Sequence, residues 1–173
     1  VTSEFFQSIL GSHLKYSSCY WDEFTSNLDD AEIKMLNVYI ERCEIQDGLS
    51  VLDLGCGWGS VTLYLAQKFP HSTFTCISNS ETQINYIKNI VDEKQLENVI
   101  AIKSDINEFN PQEKFDRIIS IEMFEHMNNL QELLRRISLW MTPDAILFIH
   151  VFIFCIYIII TVYLSRFLFS RSF

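Results

Sequence analysis

The sequence predicts an α/β fold in which helices cover both faces of a parallel sheet. Three observations carry this expectation. Short apolar segments of strand character alternate with helix-period segments five times along the chain. A G-x-G-x-G loop, Gly55-Cys56-Gly57-Trp58-Gly59, joins the first such strand to the next helix. A loop in that context lets a ligand approach the backbone closely and turns free helix N–H groups toward it. The polar clusters of the chain also fall where strands end, the edge at which open α/β sheets bind ligands.

The 173 residues suffice for one domain with a real core. At 49% hydrophobic and 20% charged residues, the chain is no disordered segment. A net charge of −9 excludes a broad basic surface for nucleic acid. The five cysteines, Cys19, Cys43, Cys56, Cys76 and Cys155, contain no C-x-x-C pair. They read as reduced thiols in a cytoplasmic setting, with no metal site. No basic stretch followed by a long apolar run opens the chain, so no signal peptide is expected. The first residue is Val1, which suggests a fragment.

Taken in order, Glu4 to Leu14 is expected as a short helix with Phe5, Phe6, Ile9 and Leu10 on one face. The stretch Tyr16 to Trp21 has no regular period and reads as a packed connection. A second helix, capped by Asp29 or Asp30, runs to about Cys43 with Ile33, Leu36, Val38, Ile40 and Cys43 inward. Val51 to Leu54 is the first strand, and Val61, Leu63, Leu65, Ala66 and Phe69 mark the helix after the glycine loop.

Pro70 ends that helix, and Thr73 to Ile77 is the second strand. Ser80 and Gln83 form an S-x-x-Q capping pattern for a helix over 81–94. A nicotinamide site would place an acid near the end of strand two, but Ser78 and Asn79 stand there. Val99 to Lys103 and Phe115 to Ile121 are the third and fourth strands, ending in Asp105-Ile106 and in Glu122-Met123-Phe124-Glu125-His126. Asn128 or Asn129 starts a further helix, Thr142-Pro143-Asp144 turns the chain, and Ala145 to Val151 is the fifth strand.

Ala145 to Leu164 is strongly apolar and is followed by Arg166 and Arg171, which by hydropathy makes a membrane span conceivable. Because Ala145 to Val151 is needed in the sheet, the remainder is too short to span comfortably. An apolar extension is favoured over membrane association. The expected division is an N-terminal cover over 1–28, a core over 29–151 and an apolar tail over 152–173.

These motifs together resemble the cyclopropane-fatty-acid synthase family of S-adenosylmethionine-dependent methyltransferases, and within it the coclaurine N-methyltransferase-like proteins of plants. Leu14-Lys15-Tyr16-Ser17, the glycine loop, Ser78-Asn79-Ser80-x-x-Gln83 and the run from Phe115 to Met127 carry the likeness. It implies a Rossmann-like class I methyltransferase sheet lacking its last strands, and S-adenosylmethionine as cofactor. Tyr16 and Ser17 would contact the cofactor's methionine part, Gly55, Gly57 and Gly59 would face methionine and ribose, and Asp53 would hold the ammonium. Ser78, Asn79 and Gln83 would bind ribose, Asp105 and Ile106 would flank adenine, and Ile121 would lie near the sulfonium.

An ammonium acceptor must lose a proton before methylation, so a base near the methyl group is needed. Glu125 and His126 are its candidates, with Glu122 orienting a cationic substrate. Lipid-modifying members hold a bicarbonate base with a cysteine, a glutamate, a histidine and a tyrosine. Glu125 and His150 match two of these, but Ser18 stands at the cysteine position and the tyrosine's segment is absent. The resemblance therefore implies methyl transfer to a small-molecule amine. The alternatives are cyclopropane-type lipid modification and a cofactor-binding remnant without turnover. Nucleic-acid bases are not expected as substrates, since no Asn-Pro-Pro-aromatic clamp follows the fourth strand.

Overall fold

A computed structural model of the chain describes residues 3–153 and 156–162. Its centre is a six-stranded sheet of β1 (Ser50–Leu54), β2 (Thr73–Ser78), β3 (Val99–Lys103), β4 (Phe115–Ile121), β5 (Met141–Ile153) and β6 (Ile156–Val162), in the order β3-β2-β1-β4-β5-β6. The first five strands are parallel, and β6 runs antiparallel along β5. Five helices accompany them: α1 (Ser3–Ile9), α2 (Leu28–Arg42), α3 (Ser60–Lys68), α4 (Glu81–Lys94) and α5 (Leu130–Trp140). From β1 the chain steps outward to β3, then returns to lay β4 against the other side of β1. At that switch point the connections leave β1 and β4 in opposite directions, and a crevice opens beyond their carboxyl ends.

Successive residues of the central strands point to opposite faces. Leu52, Ile118, Leu147 and Ile149 join the core under α5, with Leu133, Ile137 and Trp140. Val51, Ile119 and Phe148 join the core under α2 and α3, with Leu36, Tyr39 and Leu65. Both faces are buried, which explains why these strands read as nearly unbroken apolar runs.

Three local expectations are corrected. The first helix stops at Ile9 instead of Leu14, because the N–H groups beyond it are taken by carboxylates of α2. Glu32 accepts from Gly11 and Lys15 at Oε1 (3.0 and 3.2 Å) and from His13 at Oε2 (3.0 Å). Asp29 accepts from the Ser12 amide. The second helix is capped by Asn27, whose Oδ1 accepts from the Asp30 amide at 2.9 Å. Its most buried stripe is Ala31, Glu32, Met35, Leu36 and Tyr39, so Ile33, Val38 and Ile40 are only partly covered. Thr142-Pro143-Asp144 is no free turn either. It lies within β5 as an irregularity between the pairs Phe115–Met141 and Arg117–Ile146, a position where the missing proline N–H is tolerated.

At the other end, β5 continues past Val151 to Ile153, and the pairs Leu147–Val162 through Ile153–Ile156 cover its outer edge. Part of the expected apolar tail is thus a sixth strand, and β5 is not an edge of the sheet. Among the described residues no helix is long and apolar enough to cross a membrane. The rest of the expected tail, residues 154–155 and 163–173, lies outside the described residues.

Glu32 is fully buried and is the acceptor for three backbone N–H groups. Leaving a buried donor unsatisfied costs about 1–3 kcal/mol. Glu32→Ala is therefore expected to lower the unfolding free energy in a urea titration by about 3 kcal/mol or more. A change within about 0.5 kcal/mol of zero would show that water replaces the carboxylate.

Candidate active site

A cleft of about 700 Å³ opens at the carboxyl ends of the parallel strands, roofed by the segment after α1. Its floor is the glycine loop. A Cβ on Gly55 would meet Met123 Cγ at 2.8 Å, so this approach excludes a side chain. A Cβ on Gly57 would meet nothing within 4 Å and would project into open space. Gly59 is a correction: it does not line the cleft. It caps α3 at φ 82°, and a Cβ there would strike Ile87 Cγ1 at 2.7 Å, so its smallness serves helix packing.

Asp53, one residue before the end of β1, lies on the cleft wall, with its side chain turned toward α3. It is 4% exposed, and its Oδ2 accepts from the Thr62 hydroxyl at 2.7 Å. Burial pushes its carboxyl up to about 6, against the opposing pull of the Thr62 bonds. At the end of β2, the Ser78 hydroxyl donates to Gln83 Oε1 at 2.7 Å. The capping pattern is therefore only half formed. Ser80 Oγ accepts from the Gln83 amide at 3.4 Å, while the Gln83 side chain faces Ser78 and the cleft instead of returning to the cap. Asn79 is exposed beside them.

Beyond β3, the Asp105 carboxylate accepts from the Asn107 amide and side chain at 2.8 and 2.9 Å. Ile106 and Met127 line the cleft next to it. The fourth wall follows β4: Ile121, Glu122 and Met123, then a single 3₁₀ turn, Phe124–His126. Glu125 and His126 both face the cleft and are exposed, and Glu125 Oε1 accepts from the Phe152 amide at 2.9 Å. Glu122 has a left-handed backbone, φ 49°, and its Oε1 accepts from the Ser18 amide and hydroxyl, each at 2.9 Å.

His150 is the second correction. It is buried behind Glu122, off the cleft wall, with Ser18 Oγ 3.3 Å from Nε2 and the Tyr39 hydroxyl 2.9 Å from Nδ1. Burial lowers its basicity, outweighing the attraction of the Glu122 charge.

Tyr16 and Ser17 close the roof. Phe6 meets Tyr16 edge-on and Trp58 at a tilt, with centroid distances of 4.8 and 5.2 Å, and Trp58 meets Tyr86 edge-on at 5.5 Å. Trp58 lines the cleft, and its Nε1 is a buried donor that finds no hydrogen-bond acceptor in the protein. Sequence reasoning assigned no role to Trp58, Lys15, Glu32 or Thr62. Glu32 alone left a usable signal, since it sits at helical spacing with Met35, Leu36 and Tyr39 on an otherwise apolar stripe.

Comparison with known proteins bears on this site. The family model described as mycolic acid cyclopropane synthetase matches residues 1–158. The chain belongs to the mycolic acid cyclopropane synthetase family. It is 44% identical over 150 residues to (S)-coclaurine N-methyltransferase of Thalictrum flavum subsp. glaucum, covering 87% of this chain and 42% of that protein. The cyclopropane-fatty-acyl-phospholipid synthase of Escherichia coli (strain K12) is 29% identical over 150 residues, covering 86% of this chain and 37% of that one. A crystal structure of coclaurine N-methyltransferase bound to N-methylheliamine and SAH superposes with a TM-score of 0.84 at 47% identity, covering 86% of this chain and 44% of that one. The chain thus spans less than half the length of these relatives. The resemblance read from the glycine loop and the E-M-F-E-H run is borne out, as is the fold.

Asp53 makes a pH-dependent contribution whose sign is the reverse of a salt-bridged acid. Its carboxyl rises from an ordinary 3.8 to about 6 on folding. The folded state therefore holds this proton more tightly. The resulting destabilisation is absent below about pH 4, grows between pH 4 and 6 and is complete above 6. Asp53→Asn, which keeps an acceptor for Thr62, is expected to raise stability at pH 7 by up to about 3 kcal/mol and to leave it unchanged near pH 4. Urea titrations at the two pH values check this, and equal effects at both would contradict it.

Proposed function

We propose that the cleft binds S-adenosylmethionine and that the family chemistry carried out there is methyl transfer to the nitrogen of a small-molecule amine. The observation that carries the reading is the turn after β4, which sets two carboxylates and an imidazole on one wall, across from the glycine floor. The residues present fit the cofactor. Trp58 Nε1 offers a buried donor, Gly57 leaves room for a ligand where a side chain would project, and Asp53 matches an ammonium. Ser78, Asn79 and Gln83 supply hydroxyl-binding groups, while Ile106 and Met127 form an apolar slot suited to a purine, beside Asp105. Tyr16 and Ser17 would close over the methionine part, with Gly55 beneath it and Ile121 beside the reacting centre. When bound, this cofactor supplies an electrophilic methyl group.

The protein's part is then to orient the acceptor, exclude water and remove one proton. Glu122 faces the cleft as a carboxylate suited to holding a cationic amine. Glu125 and His126 stand in the same turn, where either can take the proton from the nitrogen that gains the methyl group. The greater likeness to amine methyltransferases than to the lipid-modifying enzyme supports an amine acceptor. So do Ser18, standing at the bicarbonate-binding cysteine position, and His150, which is buried and does not line the cleft. A small amine is thus favoured over a lipid or a nucleic acid, and free Cys19, Cys43, Cys56 and Cys76 support a reducing, cytoplasmic setting.

Calorimetry is expected to show binding of S-adenosylmethionine and S-adenosylhomocysteine but not NAD; NAD binding alone would refute the cofactor assignment. Glu125→Ala or His126→Ala is expected to leave cofactor affinity nearly intact and to slow amine methylation by about 10²–10⁴-fold. The loss should shrink at high pH, where solvent has already deprotonated the amine. Full activity of both variants at neutral pH would remove the pair from catalysis.

A further inference from the structure

Along and behind the cleft wall lies a run of polar side chains, of which the proposed methyl transfer itself uses only Ser17 and Glu122. Lys15 is 1% exposed, and its ammonium donates to Ser17 Oγ at 2.5 Å and to the Ser18 carbonyl at 2.6 Å. The same ammonium lies over the Tyr39 ring, 5.1 Å from its centroid. The Tyr39 hydroxyl lies 2.9 Å from His150 Nδ1, and His150 Nε2 lies 3.3 Å from Ser18 Oγ. The Ser18 hydroxyl reaches Glu122 Oε1 at 2.9 Å. The Glu122 amide closes the group by donating to the His150 carbonyl at 2.6 Å.

The Glu122 end of this run has an exclusive hydrogen-bonding character. An ammonium only donates and a carboxylate only accepts, while each hydroxyl has a single proton to give. Starting from Glu122, which can only accept, Ser18 must donate to it, so Ser18 Oγ accepts from His150 Nε2 and the Tyr39 proton goes to His150 Nδ1. A neutral imidazole that accepts at Nδ1 carries its proton on Nε2, which donates to Ser18 Oγ. The Ser18 proton is then left for Glu122.

We infer that Tyr39, His150 and Ser18, beneath the buried Lys15 ammonium, form a one-way hydrogen-bond chain that positions Glu122 as a fixed anion and so selects acceptors that enter the cleft as cations. The chain rests on the amine-methyltransferase reading for its purpose, though not for its geometry. Burial brings Lys15 down only to about 8, so it still carries charge at pH 7, and burial keeps His150 neutral there. Polarised bonds in series strengthen one another, and Ser18 presents both its hydroxyl and its amide to the same carboxylate oxygen. His150 is thus a positioning residue acting through Ser18.

Two measurements test this. In the ¹⁵N-labelled 173-residue chain, imidazole spectra at pH 7 should show His150 neutral, protonated at Nε2 and bare at Nδ1, with the signal assigned by His150→Gln. A proton on Nδ1, or an imidazolium, would overturn the chain. The second is a double-mutant cycle on the KM for a tertiary-amine-forming acceptor. Tyr39→Phe removes one hydroxyl far from the acceptor and is expected to raise that KM about fivefold, with cofactor affinity unchanged. In a Glu122→Gln background the same substitution should change KM by less than about twofold. Equal effects in both backgrounds would mean that Tyr39 acts only on general stability and would refute positioning. If the unmutated protein binds the cofactor but methylates no amine, the functional reading fails, and the imidazole spectrum alone judges the chain.

Discussion

The return of the chain across β1 is the constraint on which the rest of the structure depends. Strands β1 to β3 are laid down on one side and β4 and β5 on the other, so the connections diverge above β1 and β4. No loop can cross that gap without covering strand ends that must stay open. The glycine loop, the Ser78 end of β2 and the turn after β4 therefore meet around one cavity, though they lie up to about 70 residues apart in sequence. Each loop is short and polar, and each is aimed by the strand before it. Because Ile118 and Ile119 anchor β4 in cores on opposite faces, Glu122, Glu125 and His126 inherit a fixed position from packing below them.

Satisfying polar groups under the N-terminal segment is the second requirement. That segment forms no sheet pairing and has only a short helix, yet it roofs the cleft. Its backbone donors are taken by Glu32 and Asp29 of α2, and its aromatic residues pack on Trp58. Lys15 is buried beneath it with a hydroxyl, a carbonyl and the face of Tyr39 as partners. Buried charge of this kind is tolerated only when its donors are matched, and the matching ties the roof to the wall that carries Glu122. The same groups that satisfy the roof are thereby tied to Glu122, a residue facing the cleft.

The division of labour among the glycines follows from the same geometry. Gly55 and Gly57 both line the cleft, one with Met123 against it and one with open space where a side chain would project. Gly59 is small for the sake of α4, whose Ile87 fills the space a side chain would need. A motif of three equal letters thus contains two different physical demands, which the spacing alone does not separate.

The alternation of apolar strands with amphipathic helices was enough to determine the α/β fold, the five parallel strands and the edge of the sheet that holds the site, since local period and burial on both faces are written directly in residue order. It also determined most of the cleft wall, because residues just past strand ends in such a sheet have few other places to go. The end of α1, the cap of α2, the bulge at Pro143 and the pairing of β6 were decided by tertiary contacts. In each, a partner distant in sequence, such as Glu32 for Gly11 or β4 for β5, overrode local preference. The same holds for His150 and Gly59. Sequence placed both in the site by motif, but whether a side chain faces the cleft or the core depends on what packs behind it, and Tyr39, Ser18 and Ile87 arrive there only when the chain is folded.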